Sequence, residues 1–226
     1  MKKIFIKYIK NSFYLVVLIG FNVAHAGSYD DFFRAIKRDD SQLVQQLLVR
    51  GFDVNTADPN GQNGLTIALR EPSLRVAETL INWPKTDLNA LNAQGESPLM
   101  LASLKGHLGL VEKMITKGAD VNKTGWTPLH YAASTGQIKI ISLLLQNHAY
   151  IDAASPNRST PLMMASMYGT AEAVKLFLQE GADPLLRNQQ GLTALQFAQR
   201  AGRPDSADLL ANSSRNMRAQ RPPASW

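Results

Sequence analysis

The sequence predicts an all-α solenoid of about five to six helix-turn-helix units joined by short β-turn or hairpin connectors. Three observations carry that expectation. The stretch "GWTPLHYAASTG" at residues 125–136 returns as "GESPLMLASLKG" from Gly95, "RSTPLMMASMYG" from Arg158 and "GLTALQFAQRAG" from Gly191, and in degenerate form as "GQNGLTIALREP" from Gly61. The shared alanines Ala68, Ala102, Ala132, Ala165 and Ala198 are spaced by 34, 30, 33 and 33 residues, and Ala35 precedes the first by 33. Each copy is followed by an apolar stretch at helical spacing and then by a cluster of Gly, Asn, Asp and Pro. Such a period marks a stacked array, because one short helix pair cannot bury its own apolar face.

The first 26 residues precede the periodic part. They combine a basic opening "MKKIFIKYIK", a nine-residue apolar run from Phe13 to Phe21, and the small-residue site Ala24-His25-Ala26. The run is well short of the roughly 20 apolar residues that cross a bilayer. It fits the apolar core of a secretory leader, with cleavage expected after Ala26. An uncleaved anchoring helix is the competing reading. No later apolar run reaches spanning length, so the mature chain is expected to be soluble and off the membrane.

Charge and composition exclude several function classes. The net charge of +6 and the pI near 9.6 invite a nucleic-acid reading. Setting aside Lys2, Lys3, Lys7 and Lys10 of the leader leaves 20 basic residues against 18 acidic, and without Arg215, Arg218 and Arg221 of the tail the balance is 17 against 18. A balanced body does not indicate a phosphate-binding surface. The absence of cysteine excludes disulfides, thiolate metal sites and a thiol nucleophile. Leader and composition together point to the bacterial periplasm, with secretion as the alternative.

The elements follow in order. Residues 28–60 lack a Thr-Pro opening and carry the charged "FFRAIKRDDSQ", as an N-terminal cap with one solvent-facing side should. The repeat at 61–94 has Asn63-Gly64 in place of Thr-Pro, then Pro72 and "NWPKTDLN", so its first helix is expected to fray. Repeats at 95–124, 125–157 and 158–190 are regular. In the middle one Thr127 caps a helix with its hydroxyl, and Pro128 presets the first turn. Leu129 anchors it, and Ala132 and Ala133 let the neighbouring unit approach. Gly136 ends the helix in a left-handed conformation, as Gly106, Gly169 and Gly202 are expected to do in theirs. The second helix "IKIISLLLQ" presents the stripe Ile141, Leu144 and Leu145. The connector after Asp120 is three residues shorter than its neighbours, so its turn should be truncated and the groove altered there. Residues 191–212, with Ala194 for Pro and a polar finish, read as the C-terminal cap. Residues 213–226 have no periodicity and contain Pro222-Pro223, which reads as a disordered basic tail. Trp226 is either a docking residue or part of a loose terminus.

These residues resemble the ankyrin repeat family, whose period is about 33 residues with a Thr-Pro-Leu-His-x-Ala signature. Thr127-Pro128-Leu129-His130-Tyr131-Ala132 matches that signature in full, Thr160 to Ala165 closely, and Gly118-Ala119-Asp120-Val121-Asn122 matches the family's connector. The resemblance implies a non-catalytic module that binds another protein or an extended peptide on its concave face. A monomer is expected. For an exported bacterial member it allows inhibition of, or protection against, an envelope enzyme. Support of periplasmic oxidative-stress defence and action as a secreted effector on host proteins are the alternatives.

Candidate chemistry is sparse. The resemblance gives His130 a structural role between turns, and no partner for general-base work is visible around it. His107 follows a helix-ending glycine, His148 replaces a glycine, and His25 leaves with the leader. No metal-ligand spacing is present; Asp58, Asn60 and Gly61 faintly resemble a calcium loop, but turn chemistry explains them better. No catalytic residue, cofactor, metal or nucleic-acid partner is expected. Carried over unit by unit, the family's contact positions fall after each turn glycine (Gln62, Glu96, Trp126, Ser159, Leu192) and near the end of each first helix (Arg70, Leu104, Lys105, Ser134, Met167, Tyr168, Arg200). Leu104, Trp126, Met167 and Tyr168 are expected to form an apolar patch edged by Glu96, Lys105 and Arg200. For Trp126 the alternative is packing along its own turn, and for Met167 packing between helices.

Overall fold

The computed structural model describes residues 27–220. The leader expected over residues 1–26 and the final stretch 221–226 lie outside them. Twelve α-helices occur among the described residues, and extended pairing there is limited to one antiparallel bridge, Ala57–Asn63. The chain divides into two compact units, Met1–Thr86 and Asp87–Trp226.

The first unit contains α1 (27–37), α2 (Ser41–Val49), α3 (Gly64–Arg70) and α4 (Leu74–Asn82). Phe32, Ile36, Val44, Leu65, Leu69, Val76, Leu80 and Ile81 are buried in its core. The expected fraying of α3 is not found. Asn63 caps it in place of threonine, its side chain accepting from Thr66 N–H at 2.8 Å, and Gly64 through Leu69 are all buried. Gly64 is a consequence of packing: a Cβ there would lie 2.8 Å from the Phe32 ring. Asp39 does similar work at long range. It turns the chain with a φ of 51°, and its carboxylate accepts from Val76 N–H at 2.9 Å and from Arg75 Nε at 3.0 Å. It thereby caps α4, whose own N-cap Ser73 makes no side-chain cap bond.

The second unit contains α5 (Pro98–Lys105), α6 (Leu108–Thr116), α7 (Pro128–Ser134), α8 (Ile138–Gln146), α9 (Pro161–Met167), α10 (Ala171–Gln179), α11 (Ala194–Arg200) and α12 (Pro204–Gln220). It is a two-layer solenoid. First helices α5, α7, α9 and α11 pack in one row, and α6, α8, α10 and α12 in a second. Val111, Met114, Ile141, Leu144, Val174 and Phe177 are fully buried. Each such residue contributes on the order of 1.5–3 kcal/mol by leaving water. Ile140 is buried on α8 while Leu145 is half-buried, so the stripe is Ile140, Ile141 and Leu144.

Every first helix here opens on a reciprocal cap. Ser97, Thr127, Thr160 and Thr193 each accept from the backbone N–H three residues on. That third residue returns an acceptor to the cap's own N–H: Met100 Sδ, His130 Nδ1, Met163 Sδ and Gln196 Oε1. The unit is also stitched between repeats by short polar side chains. Asn89 Oδ1 accepts from Asp120 N–H at 2.8 Å, Asn122 Oδ1 from Tyr150 N–H at 2.9 Å, and the Asp152 carboxylate from Asp183 N–H at 3.3 Å.

Two further readings of the sequence are corrected. Gly169 is not left-handed, unlike Gly106, Gly136 and Gly202. It is glycine because a Cβ would stand 2.3 Å from the Ala133 carbonyl oxygen, so the position marks a close approach between repeats. The tail is not disordered from residue 213: α12 continues to Gln220, with Ser206, Leu210 and Ser214 buried along one side. The sequence offers no helix breaker before Pro222, so the side facing α10 and α11 carries the helix past the last periodic residue.

Candidate protein-binding site

The turns set the geometry. In each full-length connector a side chain at the turn's start folds the backbone over itself. Asp58 Oδ1 accepts from Asn60 and Gln62 N–H, Asn92 Oδ1 from Gln94 and Glu96 N–H, and Asn188 Oδ1 from Gln190 and Leu192 N–H. Ser155 Oγ accepts from Ser159 N–H in the same place. This is the turn chemistry expected of Asp58 and Asn60. Each of these turns is closed by a backbone bond from the starting residue to the residue four on: Asp58 to Gln62, Asn92 to Glu96, Ser155 to Ser159 and Asn188 to Leu192.

The connector after Asp120 has no such residue and no such closure. In its place the Lys123 ammonium donates to the Thr124 and Trp126 carbonyls at 3.2 and 3.4 Å. The chain reaches Trp126 without a protruding turn. Trp126 is half-buried, its ring edge-on to His130 with centroids 5.2 Å apart. Beside it opens a pocket of about 190 Å³ lined by Leu104, Trp126, His130, Tyr131, Ser134 and Met164. Tyr131 and Ser134 share one side of α7 by their spacing of three.

Electrostatics hold this wall in place. The Tyr131 hydroxyl donates to Glu96 Oε1 at 3.0 Å, and Asn92 Nδ2 donates to Glu96 Oε2 at 2.8 Å. His130 is 1% exposed. Its Nδ1 takes the Thr127 N–H at 3.2 Å, which leaves Nε2–H to donate to the Ser159 carbonyl at 3.0 Å. Burial pushes its pKa down to about 4 against the opposing pull of the Ser159 carbonyl, so the imidazole is neutral at pH 7. Nδ1 is engaged by the cap of its own helix and Nε2 joins this repeat to the next, which leaves no lone pair for proton abstraction. His107 is also held below its ordinary value, first by burial and then by Lys105. Among the described residues no cluster of three His, Asp or Glu is placed to hold a metal, and no helix is long and apolar enough to cross a membrane.

The residues expected at the contact surface are distributed unevenly. Leu104, Trp126 and Ser134 line the pocket, and Glu96 is tied to it through Tyr131. Lys105, Tyr168 and Arg200 are exposed and Met167 is half-buried, but none of these four lines it. The Tyr168 carbonyl accepts from Arg203 Nη2 at 3.1 Å, while its side chain is 57% exposed. Ser159 and Leu192 are buried and are withdrawn from the surface. Gln62 accepts from Arg70 at 3.1 Å in the first unit. Tyr131 and Met164 were missed. They occupy equivalent positions one residue before Ala132 and Ala165, so the register that found the helix ends would also have found them.

A family model described as ankyrin repeats, in three copies, matches residues 32–124, 72–156 and 150–221. The chain belongs to the ankyrin repeat family. It is similar to the nuclear factor NF-kappa-B p105 subunit of Gallus gallus, with 27% identity over 165 residues covering 70% of this chain and 17% of that protein. It is also similar to the transient receptor potential cation channel subfamily A member 1 of Homo sapiens, with 27% identity over 187 residues covering 78% and 17%. The chain thus spans 17% of the length of these curated relatives. Among solved structures, an ankyrin repeat domain from Acinetobacter baumannii AYE is similar with a TM-score of 0.70 and 27% identity, covering 80% of this chain and 96% of that one. Ankyrin repeats are protein–protein interaction modules, and their fold is generally non-catalytic.

Proposed function

We propose that this chain is a non-catalytic protein-binding module of the bacterial periplasm, holding its partner on the face built from the turns and first helices. The observation that carries the reading is the recess of Leu104, Trp126, Tyr131 and Met164 beside the truncated connector. An apolar recess walled by aromatic side chains, with few polar groups to fix orientation, is what a binding hot spot requires. Periplasmic location is supported by the basic, apolar and Ala-x-Ala succession in residues 1–26. A module without chemistry of its own acts by occupying another protein, and the role assigned here is an inhibitor of, or protector against, an envelope enzyme.

The test is a photo-crosslinking amino acid placed at Trp126 in the chain expressed in its own cell. A discrete cross-linked protein in the periplasmic fraction is expected from position 126, with none from Lys139, an exposed position on α8. Equal cross-linking at both positions, or recovery of the chain only from the cytosol or the medium, contradicts the proposal.

A further inference from the structure

Charge is segregated in the Asp87–Trp226 unit. The tips of its turns and its first helices (92–105, 123–135, 154–168 and 187–201) carry Lys105, Lys123, Arg158, Arg187 and Arg200 against a single acid, Glu96, while Asp87, Asp120, Asp152 and Asp183 stand in the halves of the connectors that precede the tips. The remainder of the unit's described residues carries seven basic against nine acidic residues. A near-neutral total therefore conceals a basic face, and fields of that kind select partners. Glu96 is already engaged by Tyr131 and Asn92. Among the described residues none of the five cations forms an ion pair. Lys105, Arg158, Arg187 and Arg200 are exposed.

Three of the five are linked to pocket residues through the chain or a hydrogen bond. Lys105 follows Leu104 directly. Lys123 reaches the Trp126 carbonyl at 3.4 Å. Arg158 precedes Ser159, whose carbonyl accepts from His130 at 3.0 Å. Trp126 is the wall of a recess and not an open stacking platform, which favours a side chain over a nucleic-acid base as the occupant.

We infer that the partner presents an extended acidic protein segment, seating one large apolar side chain between Leu104, Trp126, Tyr131 and Met164 and laying Asp or Glu residues on Lys105, Lys123 and Arg158. The inference deepens the proposed function and rests on its reading that this face binds protein. Burial of the apolar side chain supplies affinity, while the cations speed encounter and reject basic competitors.

The experiment selects a random displayed peptide library on the immobilised full chain. Enriched peptides are expected to pair a large apolar residue with net negative charge. Their binding should fall about tenfold in Trp126→Ala. In the double variant Lys105→Glu with Arg158→Asp, association should slow about tenfold and lose most of its salt dependence. Should that reversal fail to fold, Lys105→Gln with Arg158→Gly removes the same charges and suits the positive φ of 61° at position 158. Peptides that depend on Trp126 but are neutral or basic overturn the acidic partner and leave the protein-binding reading standing. No peptide sensitive to Trp126→Ala overturns both. A single-stranded oligonucleotide that displaces the peptides with a steep salt slope overturns the inference in favour of nucleic acid.

Discussion

His130 should make the stability of this fold depend on pH in a way that can be isolated. Its folded pKa of about 4 lies below the ordinary 6.5. Between those values the unfolded chain takes up a proton that the folded chain refuses. Its contribution is therefore complete above pH 6.5 and is lost as pH falls toward 4. At about 1.4 kcal/mol per pH unit, the span amounts to about 3 kcal/mol. Asp152 works in the opposite sense, because burial raises its pKa and mild acid favours its folded form. A matched variant cancels that contribution. Glutamine is the natural choice, since Gln196 fills the equivalent position and its Oε1 accepts from Thr193 N–H at 2.9 Å. His130→Gln should cost about 1–2 kcal/mol at pH 7.5, for the Ser159 carbonyl left without a matched donor. Denaturant titrations followed by circular dichroism from pH 7.5 to 4 should show the wild type losing about 3 kcal/mol more than the variant over that range. Parallel pH curves would refute the assignment of His130 as a buried neutral strut.

Two further substitutions test the packing. Gly169→Ala forces a Cβ to within 2.3 Å of the Ala133 carbonyl oxygen and 2.9 Å of the Ala165 Cα, both backbone atoms, and should cost about 3 kcal/mol or more in a thermal melt. Gly109→Ala on α6 meets nothing within 4 Å and should instead stabilise by about 0.5–1 kcal/mol. Asp39→Ala removes the cap on Val76 N–H and should cost about 1 kcal/mol, while Asp39→Asn retains most of it. The Arg75 pair contributes little to that loss, because its side chain is 73% exposed.

What the sequence made legible was what is local. Thr127-Pro128 and its counterparts announce the caps, and the alanine period announces the stack. The misses are contacts between segments far apart in the chain. Asn63 is as good a cap as threonine, and α3 reads as frayed only when Thr-Pro is the template. Gly64 answers to Phe32 and Gly169 to Ala133, partners that no short window contains. Asp39 caps a helix 37 residues ahead of it. At the candidate site, attention to helix ends located Leu104 and Ser134 but passed over Tyr131 and Met164, which line the same recess from mid-helix. The charge balance of the whole chain likewise hid the basic bias of the turn tips and first helices.

The central claim is that a stack of helix pairs leaves its turn and first-helix side to hold another protein. Hydrogen exchange on the complex with the cross-linked partner tests it most directly. The account predicts slowed exchange at residues 96–105 and 126–134 and unchanged exchange along α6 and α8. Protection confined to α6 and α8, with α5 and α7 exchanging as in the free chain, would contradict it.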